Sequence, residues 1–202
     1  MCAMPLQEFS ALLLLATAMS FSPGPNTTLS TALAANHGLR RSLRFVVAVP
    51  VGWTLLLILC ALGVGALVTS VPVLRWGIKA VGIGYLLWLA WKLSASQQLA
   101  QARPSQLQVG FVQGVLLQFV NIKAWLLALT IVAGWVAGQV DFTGRMLVVL
   151  PVMAFYALSS NLLYACIGAV LRQWLARGQR LLWFNRGMAV LLIATAMWML
   201  RA

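Results

Sequence analysis

The stretch SFSPGPNTTLS (residues 20–30) lies inside an apolar segment, about 9–35, that otherwise reads as a membrane helix. Pro23, Gly24 and Pro25 fall at its centre. Proline has no amide hydrogen and clashes with the preceding turn, and glycine adds freedom, so these residues end one helix and free its last carbonyls. In lipid such carbonyls must find partners, so a break is tolerable only where it faces protein or a wet cavity. Pro25 suits the first turn of a new half-helix, with Asn26, Thr27 and Thr28 at or near its start. A helix start presents unpaired N–H groups and partial positive charge, a ready place for a carboxylate. The break thus makes a helix end at mid-membrane depth, and that end is a candidate binding group. A proline kink with no ligand is the plainer alternative. The dense Pro-Gly-Pro with Asn adjoining favours function.

The rest of the chain supports a membrane setting. Of 202 residues, 62% are hydrophobic and 8% charged, and the mean hydropathy is +0.95. A soluble domain of this length cannot hide so much apolar surface, so the class is an all-α integral membrane protein. The apolar runs are long and do not alternate, which favours helices over a barrel. At roughly 20 residues per span there is room for about six. After the broken first segment, spans are expected at about 45–69, 76–92, 110–137, 146–171 and 181–200. The last is the weakest, with only 14 uninterrupted residues from Gly187, although Arg186 and Arg201 can snorkel from its ends. Gly77, Ala80, Gly82 and Gly84 in the third span are expected to let helices approach closely. The run FSALLLLATAM imitates a signal peptide. No Lys or Arg precedes it and Glu8 is acidic, so it reads as the start of the first span.

The net charge is +12, but the basic residues sit in short clusters between apolar spans, which excludes a nucleic-acid surface. With six spans, Arg40, Arg41, Arg44, Lys92, Arg103, Arg172, Arg177, Arg180 and Arg186 lie on one side. Arg75, Lys79, Arg145 and Arg201 lie on the other, with both acids, Glu8 and Asp141. The positive-inside rule puts the richer side in the cytoplasm and both termini outside. Trp53, Trp76, Trp91, Trp135, Trp174 and Trp198 lie near expected span ends, where indoles settle at the interface. Cys2, Cys60 and Cys166 are widely spaced in apolar surroundings and read as small hydrophobes.

The polar stretch SASQQLAQARPSQLQ (94–108) divides a single transmembrane domain, 1–202, into two halves, about 1–98 and 105–202. Three spans in each half make the second inverted relative to the first. Each half opens on an interrupted span. In the second half the interruption is LQFVNIKAW (117–125), with Asn121 and Lys123 deep in an apolar run. Asn26 and Asn121 are 95 positions apart, close to half the chain. Paired interruptions at corresponding places point to a transporter of inverted repeats with its site at their interface.

Lys123 is the one ionisable group placed deep in a span, at an insertion cost of about 2.5–3.5 kcal/mol. No carboxylate is available in any span to offset it. Backbone carbonyls at a broken helix, or a substrate carboxylate, can fill that role; snorkelling is the plainer alternative. Asn121 and Lys123 would diverge on a regular helix, whereas a locally unwound one can aim both inward. Gln118 lies one turn earlier and joins them. Asn161 is a weaker candidate, since a single Asn is often glue between helices. No Ser/His/Asp set, HExxH or pair of intramembrane carboxylates is present, and His37 is the only histidine. This inventory argues against an enzyme, and no cofactor or metal is expected.

These stretches, with GYLLWLAWKL (84–93) and the extended run SPGPNTTLSTALAANHGLRRSLR (22–44), resemble the LysE/RhtB family of bacterial amino-acid exporters over essentially the whole chain. QFVN-x-K is most similar to the cysteine and O-acetylserine exporter branch. Many relatives carry Asn-Pro-Lys at the second motif, whereas this chain has Ile122, which leaves the sharpness of the second break open. The resemblance implies an inner-membrane protein that expels amino acids or close derivatives, driven by the proton gradient. It carries the family motifs onto Pro23, Gly24, Pro25 and Asn26, and onto Asn121 and Lys123. The expected partners are an amino-acid substrate and the lipid bilayer, and a homo-oligomer is compatible with the sequence. A passive facilitator for small zwitterions would share both breaks and stands as the alternative.

Overall fold

The computed structural model describes residues 4–95 and 109–201, and these contain helices and no strand. Arg103, Cys2 and most of the polar middle lie outside the described residues. In order the helices are α1 (Leu6–Phe21), α2 (Pro25–His37), α3 (Leu39–Ala61), α4 (Val64–Ser70) and α5 (Pro72–Ser94). There follow α6 (Phe111–Val120), α7 (Ile122–Ile131) with a π-helical turn at Val132–Val136, α8 (Phe142–Leu175) and α9 (Arg180–Arg201).

Four of these, α3, α5, α8 and α9, are long and apolar enough to cross a membrane unbroken. The weakest expected span is therefore an uninterrupted helix of 22 residues. The pair α6 and α7 with its π turn, bent by 68°, is apolar and long enough only when taken together, as a broken fifth span or a re-entrant loop. The expected first span is two half-helices, an apolar α1 of 16 residues and an α2 of 13 residues buried along nearly all its length. α2 lies inside the protein, so it does not need the apolarity of a lipid-facing helix, and its polar residues find partners there.

Several expected loops are helix. The segment NHGLRRSLR turns on one residue: α2 runs to His37, Gly38 takes φ +83°, and α3 starts at Leu39. Glycine adopts that left-handed conformation without a Cβ penalty, and it lets Arg40, Arg41 and Arg44 sit on the first turns of α3. The connection SVPVLR shrinks to Val71, because Pro72 opens α5 at a position where a missing N–H costs nothing. The expected second span also divides: α3 ends at Ala61, and Gly63 at φ +97° starts the short α4.

The core forms two apolar layers threaded by α3. Phe45 and Val49 of α3 pack with Leu29 and Leu33 of α2, Leu89 of α5, Leu117 of α6 and Leu192 of α9. Trp53, Leu56 and Leu57 pack with Leu12 of α1, Ile131 of α7 and Val149 of α8. Glycines bring the backbones together. A Cβ on Gly52 of α3 would lie 2.6 Å from Val115 O of α6, and one on Gly82 of α5 would collide with Val120 O. Of the small residues expected to serve this purpose in α5, Gly77 and Gly84 face open space. They lie on the side of α5 turned away from the bundle, so their size has no packing role here.

Candidate functional site

Both breaks lie between the two apolar layers. Pro23 and Pro25 cannot donate the hydrogen bonds that would reach Met19 O and Phe21 O. Side chains do so instead: Ser22 Oγ donates to Met19 O at 2.9 Å and Tyr164 OH donates to Phe21 O at 2.9 Å. The next two carbonyls would have been served by Asn26 and Thr27 in a continuous helix. They are taken by Lys123, whose Nζ donates to Ser22 O at 3.0 Å and to Pro23 O at 3.4 Å, and also to Ser22 Oγ at 2.7 Å. An ammonium in the membrane needs acceptors, and a broken helix supplies them. The lysine of the second interruption therefore closes the first.

α2 begins at Pro25, and its first intrahelical bond runs from Thr28 N to Gly24 O. The N–H groups of Asn26 and Thr27 precede that bond and head the half-helix dipole. Thr27 Oγ1 fixes the turn, accepting from Gly24 N at 3.0 Å and donating to Gly24 O at 3.1 Å. Gly24 is extended, a conformation that any residue adopts, so what glycine contributes here is space beside Lys123. A Cβ would sit 3.2 Å from both Cδ and Nζ of Lys123.

The second break forms without proline. Asn121 is extended (φ −90°, ψ 100°), and its Oδ1 accepts from Lys123 N at 3.1 Å, the hydrogen bond of an N-cap. Its backbone O accepts from Ala124 N and Trp125 N, and Trp125 Nε1 donates to Phe119 O at 2.8 Å. Unwinding at Asn121 aims both Asn121 and Lys123 at one pocket, as the sequence leads one to expect of a broken helix. The 68° bend answers the question left by Ile122: a proline is not needed for a sharp break.

A reciprocal amide pair ties α2 to α6. Asn26 Nδ2 donates to Gln118 Oε1 at 2.8 Å, and Gln118 Nε2 donates back to Asn26 Oδ1 at 3.1 Å. Gln118 is fully buried, and its second amide hydrogen goes to Gly114 O. On the far wall Ser30 Oγ donates to Asn161 Oδ1 at 2.8 Å, so Asn161 fixes α2 against α8 while lining the pocket.

The pocket is an open cleft with about 500 Å³ of unfilled space, solvent at its mouth included. Its polar lining comes from Ser20, Ser22, Asn26, Thr27, Asn121, Lys123, Ser160 and Asn161. Its apolar lining includes Met19, Val49, Trp53, Leu127 and Met153. Val49 and Trp53 lie about 15–20 Å along α3 from its first residue, roughly half-way along that helix. Of the sequence-derived candidates, Gly24, Pro25, Asn26, Thr27, Asn121, Lys123 and Asn161 line this pocket. Pro23 adjoins it and gives its carbonyl to Lys123. Gln118 stands behind Asn26, and Thr28 is buried in the body of α2.

Sequence reasoning misses Ser22 and Tyr164, and it misplaces Trp53. Trp53 is buried in the pocket wall, packed with Leu56 and Leu57 against α1, α7 and α8, and is not the exposed indole that an interfacial position requires. Tyr164 is inconspicuous in an apolar run, although a phenol in such a run needs an acceptor. Among the described residues no group of His, Cys, Asp or Glu could hold a metal.

Comparison with known proteins agrees with this architecture. Residues 17–202 match the family described as LysE type translocator. The chain belongs to the LysE family. It is accordingly a multi-pass integral membrane transporter and not an enzyme. It is 33% identical to the cysteine/O-acetylserine efflux protein of Klebsiella pneumoniae over 182 residues, covering 90% of this chain and 92% of that protein. It is 32% identical to the protein of the same description from Salmonella choleraesuis, covering 74% and 76%. It is 30% identical to the one from Escherichia coli, covering 90% and 91%. No solved structure matches the chain.

Proposed function

We propose that this LysE-family chain exports amino acids or close derivatives, cysteine and O-acetylserine among them, from the cytoplasm by proton antiport. Its two halves act as inverted repeats that rock about the pocket. The observation that carries this reading is the meeting of α2's first turn and the Lys123 ammonium in one pocket that is also lined by Met19, Val49, Trp53, Leu127 and Met153. A zwitterion needs a site for its carboxylate, acceptors for its ammonium and room for a small side chain. The start of α2 at Asn26 and Thr27 offers the first. The carbonyls of the broken helix offer the second, and the wall of Met19, Trp53 and Met153 offers the third. The efflux proteins named above support the substrate class. The excess of basic residues at the end holding Arg40, Arg41, Arg44, Arg172, Arg177, Arg180 and Arg186 supports an inner-membrane orientation with both termini in the periplasm.

The test uses energised inside-out membrane vesicles and labelled cysteine, O-acetylserine, threonine and lysine. Concentrative uptake of the first two, abolished by a protonophore and by Lys123→Ala, is the expected result. Equilibration without accumulation would make the protein a facilitator, and no uptake of any of the four would remove the amino-acid assignment.

A further inference from the structure

An antiporter must let the proton and the substrate exclude one another, and the first break shows where this can happen. The pocket-lining side chains of α1, α2, α3, α7 and α8 carry one titratable group, Lys123. The nearest others are the phenols of Tyr156 and Tyr164 on α8, whose hydroxyls meet the Thr17 hydroxyl and Phe21 O. The charged residues of α3, Arg40, Arg41 and Arg44, stand on its first turns, away from the pocket. The three hydrogens of the Lys123 ammonium have three acceptors, Ser22 O, Ser22 Oγ and Pro23 O. Those acceptors form a seat for one R–NH3⁺ group. The α-ammonium of an amino acid is the same chemical group, and the seat has room for one.

We propose that Lys123 is the proton carrier of this transporter, and that its ammonium and the ammonium of the substrate compete for the Ser22–Pro23 seat. The proposal rests on the amino-acid reading above. In the state open to the cytoplasm, Lys123 gives one proton to water and becomes a neutral amine. It releases Ser22 O, Ser22 Oγ and Pro23 O, and the substrate's ammonium takes them while its carboxylate meets Asn26 and Thr27 at the start of α2. In the state open to the other face, water returns one proton to Lys123 Nζ, and the renewed ammonium displaces the substrate from the seat. One proton enters for each zwitterion that leaves; each transfer exchanges one N–H bond of Lys123 for one O–H bond of water or the reverse, and the substrate's own covalent bonds are untouched. The absence of a carboxylate from every expected span then needs no further proton carrier. Gly24 adjoins the same seat, since a Cβ there would lie 3.2 Å from both Nζ and Cδ of Lys123.

The experiment is calorimetric titration of the purified full-length protein with O-acetylserine and with cysteine, in buffers of differing ionisation enthalpy and over a range of pH. Wild type is expected to release about one proton per molecule bound, with affinity weakening about tenfold for each pH unit lowered where Lys123 is protonated. Lys123→Met, which leaves the seat vacant, is expected to bind with no proton release and a dissociation constant independent of pH. In vesicles it should still exchange labelled for unlabelled substrate while losing accumulation. Lys123→Arg keeps the seat filled and is expected not to bind. Wild-type binding without proton release overturns the proposal, and so does continued proton release by Lys123→Met. If Lys123→Met does not fold, the wild-type proton count and Lys123→Arg decide. Failure of wild type to bind any amino acid is a different result: it removes the substrate reading and this inference with it.

Discussion

Between α1 and α2 the chain is stopped by two residues that cannot donate a hydrogen bond; between α6 and α7 it is stopped by a side chain that accepts one. The first break strands carbonyls: Ser22 serves Met19 O locally, but the partners of Phe21 O, Ser22 O and Pro23 O come from elsewhere, Tyr164 from α8 and Lys123 from α7. The second is served locally, by Asn121 and Trp125 within six residues of the carbonyls and amides they satisfy. One break therefore depends on the tertiary structure and the other contains its own caps. Two further prolines sharpen the contrast. Pro50 in α3 and Pro151 in α8 lie inside continuous helices. A lone proline removes one bond and leaves the helix running, whereas Pro-Gly-Pro removes two within three residues and frees the residue between them.

The largest effect is expected from repairing the first break. In Pro23→Ala combined with Pro25→Ala, amide hydrogens return opposite Met19 O and Phe21 O, and α1 can run on into α2. The helix start inside the pocket is lost and the carbonyls that hold Lys123 are withdrawn. Efflux of O-acetylserine from cells should fall at least about tenfold, the equivalent of ~1.4 kcal/mol, with the protein still present in membranes by immunoblot. Efflux within twofold of wild type would mean that the break is not the binding element.

An intermediate pair of effects measures dependence on tertiary structure directly. Asn26→Ala leaves the fully buried Gln118 amide without its partner on α2, and an unsatisfied buried group costs about 1–3 kcal/mol. Asn121→Ala removes an N-cap, typically about 1 kcal/mol. Thermal unfolding in detergent should therefore show a larger drop for Asn26→Ala. The reverse order would place the main tie of α2 elsewhere, for example in the Ser30–Asn161 contact.

This division also explains what is legible in the sequence. The first break is written in three adjacent residues whose backbone chemistry is unconditional, so Pro23, Gly24 and Pro25 mark it by residue type alone. Lys123 stands out because a cation in an apolar run has few ways to be satisfied, and broken-helix carbonyls are among them. Its partner atoms are not legible, since they lie about 100 positions away and are carbonyls that every residue has. Ser22 and Tyr164 escape notice for a related reason: serine and tyrosine are unremarkable in membrane helices until a stranded carbonyl faces them. The basic clusters read as loops because charge marks the aqueous phase. Arginine is nevertheless a good helix former, and Gly38 alone is enough to turn the chain, so α3 carries Arg40, Arg41 and Arg44 on its first turns. The last span looks short in the sequence only because Arg186 interrupts its apolar run. Arg186 lies exposed within the first two turns of α9, and the helix passes it unbroken.

The smallest effect is expected where proline is added at the second break. Ile122 is the first residue of α7, where an amide hydrogen has no intrahelical acceptor. Asn121 before it already has the extended conformation that a following proline imposes. Ile122→Pro should therefore keep the bend, the Asn121 cap and the aim of Lys123. What it loses is part of the packing of a side chain that is 7% exposed, on the order of 1 kcal/mol. Efflux should stay within about twofold of wild type, and the unfolding midpoint should move by only a few degrees. Loss of efflux in a protein that remains folded would show that the second break needs the shape of Ile122 and not only an extended residue before a helix start. In that case the two breaks would be alike in depending on what packs around them.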